Sequence, residues 1–310
     1  MDMIHVRAVS PPDLSDRVIG TLSDNPGVLN LVVQPGTAHN PDGDAIVFDL
    51  LTGAANDVLR RLRALHLDSR GSIVIEPVDM AFVGGSTASA QQGLITHTPV
   101  WDQVEARIRA EGTYAPSFYL YLVIAGLIGA VGIVTNSQIL IVAAMVVGPE
   151  YGAIVSIALG LYRGNHPRIR QGLRALLVGF LLAIAVTFLF SVIIRWFGFE
   201  SEAFRRGIRP VSELIDTPNF FSFAVAGLAG IVGVVSLTEA KTSALLGVFI
   251  SVTTIPAAAD IAVSVAFGNG AEAWGSLVQL LVNIAVLIVV GTATLRCQRA
   301  IWRRVTARDG

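Results

Sequence analysis

Six long apolar runs fill the chain after residue 116, at about 117–135, 138–162, 172–194, 220–237, 243–267 and 274–295. A helix needs roughly 20 apolar residues to cross a bilayer, and only closed hydrogen-bonded elements survive there. The runs therefore predict an α-helical polytopic membrane protein with six transmembrane helices at 117–296. Composition agrees: 53% of residues are hydrophobic and 15% charged, against about 25% charged in soluble domains. No basic region followed by an apolar stretch opens the chain, so the first span is expected to serve as the targeting signal.

Residues 1–80 have ordinary composition and predict a small cytoplasmic domain. Met3–Val9, Val28–Gln34, Asp44–Leu51 and Ser72–Val78 read as strands, and Asp13–Ser23 and Asn56–His66 as helices. The order βαββαβ fits an α+β ferredoxin-like fold. Residues 81–116 read as a Gly/Ser/Thr-rich linker followed by a charged juxtamembrane helix, Val100–Glu111. A basic tail, 297–310, ends the chain.

Basic residues collect on the cytoplasmic side of transmembrane loops. With the N-terminus inside, twelve lysines and arginines fall inside (Arg163, Arg168, Arg170 and Arg174 among them), and four fall outside. N-terminus and C-terminus are both expected in the cytoplasm. Trp196 and Trp274 suit the outer interface.

Ala125–Val134 (AGLIGAVGIV) matches Ala226–Val235 (AGLAGIVGVV) at seven of ten positions, an offset of 101. Pro149 and Pro256 interrupt the second and fifth spans, and Gly164-Asn165 answers Gly268-Asn269. The repeating unit is thus three spans long, and an odd unit inserts its second copy upside down, giving inverted repeats. Gly126, Gly129 and Gly132, with Gly227, Gly230 and Gly233, either bring helices close around a pathway or simply pack them.

Proline breaks a span by removing a backbone hydrogen bond, and paired broken spans point to a midplane site. Around the breaks lie Asn136 and Ser137 in the first turn, Glu150 beside Pro149, and Thr253, Thr254 and Asp260 near Pro256. Glu239 and Lys241 fall at the cytoplasmic boundary and read as solvated or mutually paired. Ionisable groups inside a bilayer default to functional sites. Glu150 is the sharper candidate as proton carrier or cation ligand; Asp260 lies nearer a helix end. Their alternative is a structural pair. The five histidines lack ligand spacing, and the single Cys297 excludes an internal disulfide and a multi-cysteine metal site. No nucleophile elbow, phosphate loop or zinc signature is present. The chain is expected to be no enzyme, to need no cofactor or metal, and to bind no nucleic acid.

Thr135-Asn136-Ser137, then Ala143–Gly152 with Pro149 inside it, then Gly247–Val252 leading to Pro256, resemble the bacterial hydrophobic membrane proteins grouped as domain of unknown function 389. The resemblance covers roughly 115–295, with Glu150-Tyr151 departing from the family pattern. It implies a bacterial inner-membrane protein and supplies no substrate. The residues favour a secondary transporter for a small polar or ionic solute, working as a homo-oligomer. A channel, or a membrane sensor with a ligand-binding N-terminal domain, are the alternatives.

Overall fold

Strand alternation in the first fifty residues buries one face of a sheet and leaves the other open. β1 (Met3–Ser10), β2 (Val28–His39), β3 (Asp42–Leu51) and β4 (Ser72–Val78) form an antiparallel sheet in the order β2-β3-β1-β4. The register sets Ile4 opposite Leu50, Val6 opposite Phe48 and Ala8 opposite Ile46, so six apolar side chains share one face. α1 (Pro12–Ser23) covers them with Val18 and Leu22, and α2 (Thr52–Ala64) with Val58, Leu59 and Leu62. A short α3 (Leu67–Arg70) adds Leu67. The element order is the βαββαβ order read from the sequence. β2 runs five residues past its expected end at Gln34, because a register shift between Gln34 and Ala38 absorbs Pro35-Gly36 inside the strand.

The structure, a computed structural model, describes residues 3–78, 100–209, 215, 220–238 and 254–308. The expected linker, Glu239, Lys241 and Thr253 lie outside the described residues. The chain divides into two compact units, residues 1–104 with 300–310, and residues 105–299.

Among the described residues the regular elements of the second unit are all helices: α4 (Trp101–Glu111, which begins in the first unit), α5 (Pro116–Val134), α6 (Gln138–Val147), α7 (Glu150–Arg163), α8 (His166–Phe197), α9 (Glu202–Arg205), α10 (Phe220–Thr238), α11 (Thr254–Phe267) and α12 (Gly270–Arg308, whose last residues belong to the first unit). Among the described residues α5, α8, α10 and α12 are long and apolar enough to cross a membrane. The second expected span is a pair, α6 and α7, bent by 50° at Gly148-Pro149, which makes five if the pair counts as one crossing. The fifth expected span, 243–267, is described only as the shorter α11.

The connections show why the helices turn where they do. Asn136 has φ 54°, and the Ser137 hydroxyl accepts from the Leu140 N–H to start α6. Gly164 in the left-handed region ends α7, the Asn165 N–H bonds back to the Gly160 carbonyl at 2.8 Å, and the Asn165 side chain caps α8. Gly268 and Asn269 repeat this reversal between α11 and α12, with the Asn269 N–H 2.8 Å from the Ser264 carbonyl. Both are the closing pattern of a glycine-ended helix.

Glycines on α5 let three neighbours approach. A Cβ at Gly126 would lie 2.6 Å from Thr187 Oγ1, at Gly129 2.8 Å from Ala259 Cβ, and at Gly132 2.9 Å from Ile141 Cδ1. On α10 a Cβ at Gly233 would overlap the Tyr151 phenol, whereas Gly227 faces open space. So the ladder packs α5 against α8, α11 and α6, and only part of its counterpart packs α10.

Polar contacts gather the helix ends into two groups. Ser201 bonds to the Val134 carbonyl, Arg195 to the Ala266 carbonyl, and Arg209 to Glu272. At the other end Arg107 reaches the Leu237 carbonyl, Gln298 the Thr238 hydroxyl, Arg299 the Tyr162 hydroxyl, and Arg163 pairs with Glu105.

Candidate functional site

Proline cannot donate to the helix ladder, so the chain breaks at Gly148-Pro149 and α7 restarts at Glu150. A carboxylate in the first turn of a helix is favoured by the unpaired N–H groups there. Glu150 is nevertheless only 5% exposed. Its Oε1 accepts a 2.6 Å hydrogen bond from the Thr254 hydroxyl in the first described turn of α11, while Oε2 has no partner among the described residues. Gly148 permits this arrangement, since a Cβ there would overlap Glu150 Oε2 and sit 2.7 Å from Ile255 Cγ1.

The two glycine–asparagine reversals place α7 and α11 in register at an offset of 104, matching their last residues Arg163 and Phe267 as well. Thr254 stands at that same offset from Glu150. At that offset Pro256 falls against Gly152 and not against Pro149. Pro256 sits buried in the first described turn of α11.

Asp260 lies in the described part of α11, two turns before its last residue Phe267, and is fully buried. Its Oδ2 accepts from Ser276 on α12 at 2.6 Å and from Ser264 at 3.4 Å. Ser264 also reaches Glu272 at 3.4 Å, and Glu272 pairs with Arg209 at 3.0 Å. Arg209 in turn stacks over the Phe204 ring at 4.2 Å. A row of hydroxyl and carboxylate oxygens therefore leads from Asp260 to the end of the unit that holds α9.

Further along α12, Gln279 donates to Asn283 at 3.1 Å, both buried, and Gln279 Oε1 has no partner among the described residues. Ser276, Gln279 and Asn283 were not singled out from sequence. Their spacing of three and four places them on one helical face, and a polar stripe inside an apolar run was the available signal.

Asn136 and Ser137 take a different part. Asn136 Nδ2 donates to the Ile208 carbonyl at 3.1 Å, its buried Oδ1 has no partner among the described residues, and Ser137 caps α6. Their bonds are to the 198–209 segment and to α6 itself, not to Glu150. Of the sequence candidates the structure brings together Pro149, Glu150 and Thr254, with Pro256 close by in the chain and Asp260 further along the same helix. Among the described residues no cluster of three or more His, Cys, Asp or Glu could hold a metal.

The site offers a buried carboxylate whose second oxygen has no partner among the described residues. Such a group can hold a proton or a cation, since an unpaired buried charge is costly.

Against known proteins, the model of the family described as Domain of unknown function (DUF389) matches residues 145–289, and this is the family that the sequence resembles. The match runs from the end of α6 into α12 and so contains Glu150, Thr254, Asp260 and the α12 stripe. No curated protein and no solved structure matches the chain significantly.

Proposed function

We propose that this chain, which carries a family domain with no assigned activity, is a secondary transporter for a small polar or ionic solute, with Glu150 as the group that takes up and releases a coupling proton or cation. One observation carries the reading: Thr254 donates to Glu150 across 104 positions of sequence, while the second carboxylate oxygen has no partner among the described residues. A carboxylate held by one hydroxyl from a different helix is loaded or emptied by a small displacement between α7 and α11. Inverted repeats supply such a displacement, because one copy takes the inward shape while the other takes the outward shape. The matching reversals at Gly164-Asn165 and Gly268-Asn269 support the repeat.

In this reading six spans cross a bacterial inner membrane with both termini in the cytoplasm. Residues 3–78 form a ferredoxin-like domain that gates the spans or joins protomers into a homo-oligomer. The test is flux of a panel of small ionic solutes into proteoliposomes, with and without a pH gradient. Wild type is expected to accumulate its solute only with the gradient, and Glu150→Gln to lose coupled accumulation. Flux at channel rates, indifferent to the gradient, would overturn the reading.

A further inference from the structure

Arginines placed one helical turn apart at the start of a long apolar helix have to find anions or water. On α8, Arg170 and Arg174 have no acidic partner within ion-pair distance among the described residues. They line a groove of about 520 Å³ together with Tyr114, Tyr119, Gln171 and Val178. The groove lies between the start of α5 and the start of α8, at the end of the unit where Arg163 pairs with Glu105.

Two features set its chemistry. Polar donors occupy one part: the two guanidiniums, the Gln171 amide and the Tyr114 hydroxyl, which is buried with the Ser156 hydroxyl beside it. Burial, the largest influence on Tyr114, raises its phenol above the ordinary value, so it stays a neutral donor. Apolar surface continues from the other part. Val178 follows Arg174 by one turn, and Leu177 and Leu181 are 62% and 59% exposed beside it. Along a helix four residues rise about 6 Å, which sets the arginines just above the beginning of that apolar face.

We propose that this groove binds the phosphate of an anionic phospholipid, with the acyl chains lying along Val178 and Leu181. A diester phosphate offers non-bridging oxygens to the paired guanidiniums, and the tyrosines suit the depth of the headgroup. Free phosphate shares the charge and not the tail; the exposed leucines favour the lipid. The site is separate from Glu150 and does not depend on the transport reading.

Native mass spectrometry of the purified, delipidated full-length chain tests it. The probes are phosphatidylglycerol, phosphatidylcholine with the same acyl chains, and inorganic phosphate. Wild type is expected to retain one tightly held phosphatidylglycerol per chain, with phosphatidylcholine bound at least tenfold more weakly. Arg170→Gln/Arg174→Gln is expected to lose roughly 30-fold in phosphatidylglycerol affinity, about 1 kcal/mol for each arginine at the surface, and Arg170→Lys/Arg174→Lys to keep most of it. Equal retention of the two lipids by wild type would overturn the proposal whatever the variants do. So would undiminished binding by the glutamine variant, or displacement of the lipid by millimolar inorganic phosphate.

Discussion

The Thr254 hydroxyl and the Glu150 carboxylate, 2.6 Å apart, tie the restart of a broken helix at Glu150 to α11, 104 positions further along the chain. Both residues are buried, and the bond is made to a group that can carry charge. Removing one partner leaves the other without compensation. Thr254→Val is therefore expected to destabilise the chain by about 1–3 kcal/mol. Thr254→Ser should restore most of this. Thermal unfolding in detergent, followed by tryptophan fluorescence, measures both. A valine variant as stable as wild type would mean that the bond contributes nothing.

Gly233 lies where a Cβ would overlap Tyr151. Gly233→Ala forces Tyr151 or the α10 backbone to shift, and overpacking of this kind costs about 1–3 kcal/mol. The same alanine in a Tyr151→Ala background should cost much less. A double-mutant cycle on unfolding midpoints reads the difference, and additive effects would mean that the two helices are not in contact there.

The Ser15 hydroxyl and the Gly36 N–H hold the Asp44 carboxyl below its ordinary value. A group depressed by folding adds stability above its unfolded value, and this is lost as pH falls through the folded one. Carboxyl carbon shifts should titrate Asp44 below the usual aspartate range. Ser15→Ala should move the midpoint upward, and an unmoved midpoint would remove the hydroxyl from the account.

Cys297 is the single cysteine and is exposed on α12. With both termini inside, a membrane-impermeant maleimide should label it in inside-out vesicles and spare it in sealed cells. Ser201→Cys in a Cys297→Ser background should show the opposite. Labelling of both from one side would reverse or break the proposed topology.

The strands of residues 3–78 were legible because alternation reports a half-buried sheet, and the core side chains Val6, Phe48 and Leu62 fall where the period puts them. Proline and glycine punctuation misled once, at Pro35-Gly36, where a register shift keeps the strand going. In the helical unit the break at Pro149 was legible from one residue, since proline acts locally. The partner of Glu150 was not. A pairing across 104 positions depends on how helices pack, so Thr254 was visible as one polar residue near Pro256 but nothing in the sequence joined it to Glu150. Asp260 was visible as a charge in an apolar run, but its acceptor role toward Ser276 needs the α11–α12 reversal to bring two helices face to face.

The burial of Asp260 bears on how the protein is made. An aspartate at the centre of an apolar helix carries a penalty of about 2.5–3.5 kcal/mol on the scale by which segments leave the translocon. Neighbours offset it here: α12 supplies the Ser276 hydroxyl that donates to the carboxylate, and α5 the glycine against which Ala259 rests. In the proposed membrane topology, insertion of α11 is therefore expected to depend on α5 and α12 being in place beside it.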